Sequence, residues 1–501
     1  MSKRFLSLLL SLCMLLTLAG TAYAADDDVV TLTVFIDHSW YPVESFTGII
    51  PETITEKTGV KLDVTVALDS NQLGVMLASG ELPDLVYTQT MVDRFSDGDV
   101  CYSYEDLIAQ YCPDWQVSAK QLGIARNYSE DGIAYTLLNH YSEKKDWENS
   151  NAVPMVGSLL MRGDILDALG EKQPTSFDEL FELFGKVKAA YPDMVPLKVN
   201  ENWNTLVFRY LNGISQLEFL EQPDGSYIHF TQDPRYKDML LWLNKCYQAG
   251  YIVPDDPFYV KGSTAIPDDK WFASCASTQN SITGTNATLA GIDPSYYAIE
   301  MVPFEESSYL TSDTGWCGLF ITKNCSNPEA AIKMMQWMFS DEGQKITQMG
   351  REGIEYTLND QGLPEFSQEW KDALAAGSNE HNSKYNPWFY FGGSEIVEAD
   401  SRCATTDPKW VAECYRVIRE RFDNLPWVMA ALPKGDSDEK VIYNKIEDLR
   451  STTEAKVILA ATTEEASAIF DQFIETEKQI GIDELDEFMK NEIDRILPQF
   501  Q

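Results

Sequence analysis

The sequence predicts an α/β fold with largely parallel sheets, divided among more than one domain. Three observations carry that prediction. Residues 30–87 alternate strand-like and helix-like patterns in the order β-α-β-α-β, which is how crossover units lay parallel strands side by side. The chain has 501 residues, roughly two to four domains at the usual domain size. It is 44% hydrophobic and 23% charged, the balance of a globular chain and not of a disordered one.

Each element has its own signal. Val30–Ile36 reads V-T-L-T-V-F-I, a β-rich first strand with partial alternation. Ile49–Thr58 reads as a helix stopped by Gly59. Val60, Leu62, Val64 and Val66 then share one face of a second strand. Residues 73–79 form a short helix ended by Gly80, and residues 83–87 return to strand. In the middle of the chain, residues 159–162 are strand-like, and Ser176 with Glu179 forms a capping box. Leu180, Leu183, Phe184 and Val187 follow at helical spacing. Residues 238–249 make an amphipathic helix with Gly250 past its end, and residues 297–302 and 318–322 are apolar strands. Asn327 and Pro328 open another helix as N-cap and first residue, with Met335 and Met338 on its apolar side. Trp337 on that helix reads as core. Four more helices are predicted at 410–422, 436–452, 463–479 and 484–497.

Lys and Arg number 39 against 78 Asp and Glu, a net charge of −39. Such a surface repels phosphate backbones and anionic lipid head groups, which excludes a nucleic-acid role. His38, His140, His229 and His381 are the only histidines, and they are scattered. That pattern argues against a histidine-built metal or acid–base site, and no metal or cofactor is expected.

Lys3 and Arg4 precede an apolar run over residues 5–19, and Ala22-Tyr23-Ala24 follows. This is a secretory signal peptide cleaved near Ala24, too short for a membrane span of about 20 residues. Cys13 sits inside the apolar run behind Leu12, so no lipid-anchor cysteine is evident and release is expected. Eight cysteines remain. Sequence neighbours suggest the pairs Cys101–Cys112, Cys317–Cys325 and Cys403–Cys414, and buried free thiols are the open alternative.

No phosphate loop, dinucleotide fingerprint, zinc-protease or nucleophile-elbow motif occurs. The positive signal is aromatic: 12 Trp, 24 Tyr and 23 Phe. Several lie beside polar residues in predicted loops: Trp40 just after the first strand, Trp203, Trp271, Trp316, and Trp388 with Tyr390. Aromatic faces stack on the apolar faces of sugar rings, and loops at the carboxyl ends of strands are where open α/β sheets bind ligands. Core packing is the competing role for each.

Short motifs then recur in a recognisable order. Met76-Leu77-Ala78-Ser79-Gly80-Glu81-Leu82-Pro83-Asp84-Leu85 is one, and Asp131-Gly132-Ile133-Ala134-Tyr135 another. Met161-Arg162-Gly163-Asp164-Ile165-Leu166-Asp167-Ala168-Leu169-Gly170 runs on to Pro174-Thr175 and Asp178-Glu179-Leu180. Tyr247-Gln248-Ala249-Gly250 and Gly350-Arg351-Glu352-Gly353-Ile354-Glu355-Tyr356 complete the series. In this order they resemble the family 1 extracellular solute-binding proteins of ABC importers, the carbohydrate type in the long form common in Gram-positive bacteria.

The resemblance implies a two-lobe, type II periplasmic-binding-protein-like fold with ligand in an interlobe cleft crossed by hinge segments. It implies an N-lobe from 25–140 and 306–356, and a C-lobe from 141–305 and 357–501 with the C-terminal helices, after a signal peptide at 1–24. The chain is then expected to cross between lobes near 136–155 and 302–312. By position, the ligand contacts implied are Trp40, Gln89, Trp203, Trp271, Trp316, Tyr356, Trp388 and Tyr390. Arg162 and Asp164 more plainly fix a strand-to-helix corner. The implied function is capture of an oligosaccharide by a monomeric, non-enzymatic protein at the cell envelope, outside the cell or in the periplasm, and its delivery to a membrane permease. A binding protein for a peptide or cation, a secreted glycan-active enzyme, and a sensory subunit are the other readings. Gram-positive members carry a cysteine at the cleavage point, where this chain has Thr21-Ala22-Tyr23-Ala24.

Overall fold

In the computed structural model, residues 29–501 are described apart from 42–43, 149, 200–203, 254–265, 267–268, 280, 361, 389–390 and 436. The expected signal peptide lies outside these residues. The strands run in chain order as β1 (Val30–Ile36), β2 (Val60–Val66), β3 (Leu85–Thr88), β4 (Gly157–Arg162), β5 (Val195–Lys198), β6 (Phe219–Glu221), β7 (Tyr227–His229), β8 (Trp271–Ser277), β9 (Ala298–Glu300), β10 (Tyr309–Thr311), β11 (Gly318–Ile321), β12 (Tyr356–Leu358), β13 (Pro364–Phe366) and β14 (Phe422–Asn424).

The N-lobe sheet has the order β2-β1-β3-β11. β1 is parallel to both neighbours, with Val34 opposite Val64 and Leu85, and β11 closes the edge antiparallel to β3. Leu32, Val34 and Ile36 enter one core with Leu62, Leu85 and Tyr87, while Phe35 and Val86 enter another. Burial on both faces is what a sheet covered by crossover helices requires. The helix Ile49–Thr58 ends at Gly59, whose φ of 70° lies in the left-handed region, as its stop signal demands.

The C-lobe sheet, β5-β8-β4-β9, is mixed. β5 and β8 are parallel, but β4 is antiparallel to both β8 and β9. The largely parallel arrangement expected from sequence therefore holds for the first sheet only. Strand period and apolar content do not encode pairing direction, and the middle segment lacks the short β-α-β rhythm of residues 30–87. Ser176 caps the helix Phe177–Ala190, accepting from Glu179 N at 3.2 Å. The Glu179 carboxylate reaches back to Thr175 N at 2.8 Å, one residue before the expected partner. The helix expected at 238–249 begins earlier, at Pro234, because Asp233 caps it.

Three crossings join the lobes. Leu138 bridges Gly318 antiparallel, and Asn139 N donates to Cys317 O at 3.0 Å. β10 and β14 pair in parallel, Tyr309 opposite Phe422. Asn424, buried at the end of β14, ties the three together. Its Nδ2 donates to Ser142 O at 3.0 Å and Asp313 O at 2.9 Å, and its Oδ1 accepts from Thr311 Oγ1 at 3.3 Å. Asn424→Ala leaves two buried carbonyls without this donor, so a loss of about 1–3 kcal/mol in urea denaturation is expected. An unchanged midpoint would mean that the crossings hold without it.

The return to the C-lobe comes later than the boundary expected at 357. Trp370, Ala373, Tyr385, Trp388 and Phe391 bury in the same core as β1 and β3. This segment's apolar side chains pair with Tyr41 and Phe46, so its motif at 350–356 marks no lobe change. The eight described cysteines are free and buried, so the suggested disulfides are not formed and the thiols pack as small apolar side chains.

Candidate functional site

The crossings floor a cleft of about 510 Å³ lined by Gln89, Met155, Gln216, Asp313, Trp316, Glu395 and others. The loops that form its N-lobe wall leave the carboxyl ends of β1 and β3. Asp37 clasps them together, accepting from Thr88 Oγ1 and Thr90 Oγ1, each at 2.8 Å. That clasp joins the loop of His38 and Trp40 to the loop that carries Gln89 into the cleft.

Three rings form an aromatic layer there. His38 stacks on Trp316 with centroids 5.5 Å apart and planes at 10°. Trp40 stacks on Trp316 at 5.8 Å and 24°, and keeps 54% of its surface exposed. Burial lowers the His38 pKa, against the raising effect of Asp37, so the ring in this layer is a neutral imidazole. Gly315 makes room for the turn that presents Trp316. Its φ is +88°, and a Cβ would meet Asn139 O at 2.6 Å, so this position needs glycine.

Carboxylates supply the polar part. Glu395 accepts from Ser142 Oγ at 2.7 Å and Met155 N at 3.0 Å. Burial, and then the nearby charge of Asp313, push its pKa up to about 7. The protein packed around Asp313 raises its pKa, and the residue keeps an exposed surface on the cleft. That combination belongs to a group at the bottom of a water-filled cleft. Glu398 faces His140 Nε2 at 3.5 Å. Burial alone would raise its pKa, but His140 and Arg402 hold it below the ordinary carboxylate value. Aromatic faces beside hydrogen-bond acceptors match the two sides of a pyranose ring, apolar across its face and hydroxylated round its edge.

The structure brings together three of the sequence-derived candidates: Trp40, Gln89 and Trp316. It places three others elsewhere. Trp388 has no exposed surface and packs against Phe46, Phe391 and Tyr41 with centroids at 5.0, 5.2 and 5.8 Å. Trp271 opens β8 at 4% exposure in the C-lobe core. Tyr356 is 2% exposed, paired with Phe366 in the β12–β13 hairpin. Each turns its ring inward. Trp203 and Tyr390 lie outside the described residues. Arg162 and Asp164 do fix the corner after β4, with Nε and Nη2 of the arginine 2.7 and 2.6 Å from the carboxylate.

The profile of a family described as bacterial extracellular solute-binding protein matches residues 51–371. The chain belongs to this family. A curated carbohydrate ABC transporter substrate-binding protein of Streptococcus pneumoniae is 23% identical to this solute-binding protein over 288 residues. The match covers 56% of each chain, so the protein spans about half the length of that relative. Among solved structures, an extracellular solute-binding protein from Bifidobacterium longum subsp. infantis has a TM-score of 0.67 at 16% identity, covering 94% of this chain and 99% of that one. The S. pneumoniae ABC-transporter substrate-binding protein FusA, in complex with kestose, has a TM-score of 0.61 at 17% identity, covering 94% of this chain and 100% of that one. At these identities the likeness establishes the two-lobe fold alone.

Sequence reasoning did not single out Asp313, Glu395 or His38 in this binding protein. Asp313 had a usable signal, Ser312-Asp313-Thr314-Gly315 directly before Trp316. Glu395 had none: it opens the helix Glu395–Cys403, far along the chain from the other cleft residues.

Proposed function

We propose that the protein captures an oligosaccharide in the interlobe cleft and delivers it to an ABC importer, without chemical change to the sugar. The carrying observation is the exposed Trp40 stacked on Trp316 beside the acidic cleft floor. Membership of an extracellular family supports a place at the cell envelope, and the secretory signal at residues 1–24 is read as the means of export. A monomer that meets its permease only on delivery completes the reading.

The test is a thermal-shift and calorimetry screen of residues 25–501 against neutral oligosaccharides, amino sugars, polyamines and peptides. Selective stabilisation by an oligosaccharide recovered intact supports the reading. Cleavage of the sugar, or shifts confined to peptides, would overturn it. A second reading, a cationic solute, is favoured by Asp313 standing close enough to Glu395 to raise its proton affinity. Polyamine-only binding that weakens steeply with salt would establish that reading instead.

Trp40→Ala is expected to weaken oligosaccharide binding by about 1–3 kcal/mol, roughly 5- to 150-fold, with the melting temperature unchanged. Calorimetry of the folded variant reads this directly, and equal affinity would remove Trp40 from the site.

A further inference from the structure

A second cluster of chemistry-bearing side chains lies in the C-lobe, under the helix Asp438–Ile458. β6 and β7 form an antiparallel hairpin, and His229 at its end is fully buried. Its Nδ1 stands 2.7 Å from Thr231 Oγ1, and that hydroxyl lies 2.9 and 3.1 Å from the two oxygens of Glu477. An ionised carboxylate can only accept, so the hydroxyl proton goes to Glu477 and the hydroxyl oxygen accepts from Nδ1–H. The relay fixes the ring and directs Nε2 at two carboxylates.

Those two are Glu218, on the loop before β6, and Glu447, on the helix. Their oxygens stand 3.7 and 3.6 Å from Nε2, too far for hydrogen bonds. Neither Nε2 nor Glu218 Oε2 has a hydrogen-bond partner, though both atoms are buried. The three donor atoms lie within 4.8 Å of one another. Around a tetrahedral metal with bonds of about 2.1 Å, ligand atoms stand roughly 3.4 Å apart, so a small inward movement closes the shell. The hydrogen-bonded second nitrogen is the outer support that metal-binding histidines ordinarily have.

The charge balance points the same way. Glu218, Glu447, Glu454, Glu477 and Asp486 crowd this corner, and the guanidiniums facing them are Arg209 and Arg450. Arg450 holds Glu447 at 2.7 Å and Glu454 at 2.8 Å, while Arg209 reaches Glu218 only at 4.0 Å. The carboxylates of this corner outnumber its guanidiniums. Side-chain exposures of 22% at Glu218 and 24% at Glu447 leave a route for an ion and a water ligand.

We propose that Glu218, His229 and Glu447 form a site for a divalent first-row transition metal ion, which would tie the β6–β7 hairpin to the helix Asp438–Ile458. The competing occupant is a proton. A metal ion takes the nitrogen lone pair that a proton would otherwise hold, so uptake weakens as pH falls.

The test uses the full chain after chelator treatment, titrated with Zn2+ at pH 7.5 by calorimetry in two buffers of different ionisation enthalpy. The expected result is one equivalent bound with proton release, and a melting temperature raised by at least ~2 °C. Co2+ in its place should give the visible absorption of a four- or five-coordinate nitrogen–oxygen site. His229→Gln and Glu218→Gln should each weaken Zn2+ binding by about 10-fold or more. Because the buried His229 variant could misfold, the part-exposed Glu218→Gln decides the matter alone. Absence of saturable Zn2+ or Co2+ binding would overturn the site. Binding left intact by Glu218→Gln would place the ion elsewhere and overturn the site equally.

Discussion

Trp388→Ala is expected to lower folding stability by about 3–5 kcal/mol, the cost of a large cavity in a closed core. The ring fills the space between Phe46, Phe391 and Tyr41, and its backbone N–H donates to Thr347 O at 2.9 Å. Denaturant unfolding of the purified variant measures this. Tyr41 follows Trp40 directly, so ligand affinity should fall secondarily, as the loop loosens. Full stability with abolished binding would instead restore Trp388 to the ligand surface.

Stability should also fall as pH rises from 5 to 8, and Glu300 is the principal reason. It is buried at the end of β9, 3.2 Å from Tyr415 Oη and 3.8 Å from Cys414 Sγ. Burial pushes its pKa up to about 8. Between the ordinary glutamate value and about 8, the folded chain keeps a proton that the unfolded chain releases. The stabilising contribution is complete below that window and is lost as pH climbs through it. A shift of this size corresponds to roughly 3–5 kcal/mol. Glu395 at about 7 acts in the same direction. Glu447 acts oppositely. Burial alone would raise it, but His229 and Arg450 hold it at about 2, so its contribution is lost as pH falls below the ordinary range. The optimum should therefore lie near pH 5. Glu300→Gln keeps the shape but cannot ionise, so its melting temperature at pH 8 should exceed that of the wild type and its pH profile should flatten. A wild-type melting temperature as high at pH 8 as at pH 5 would mean that Glu300 ionises without penalty.

The elements set by local chemistry were readable in the sequence. Gly59 stops the first helix, Asn327 and Pro328 open a later one, and Val34 and Ile36 alternate into the core, because a cap or a period-2 pattern needs only near neighbours. Trp40 and Gln89 were placeable for a related reason: they follow β1 and β3, whose carboxyl ends border the cleft. Trp388, Trp271 and Tyr356 were not, since polar neighbours do not reveal which way a ring turns. The direction of β4 and the assignment of 357–391 to the N-lobe core depend on partners far along the chain. The same holds for the cluster at His229, whose partners Glu218 and Glu447 reach it from separate elements.

The eight buried thiols make each lobe its own chronometer. Cys112, Cys317 and Cys325 pack in the core of the first sheet, Cys403 and Cys414 in a separate core beside the second, and Cys101, Cys246 and Cys275 in a third cluster. Burial holds the thiols of Cys112, Cys317, Cys325, Cys403 and Cys414 in their unreactive protonated form, Cys317 and Cys403 near 12. Alkylation therefore waits for local opening. Pulse labelling read by peptide mass would date the opening of one lobe against the other, with no probe added to the chain. Ligand that clamps both lobes should slow the two clocks together.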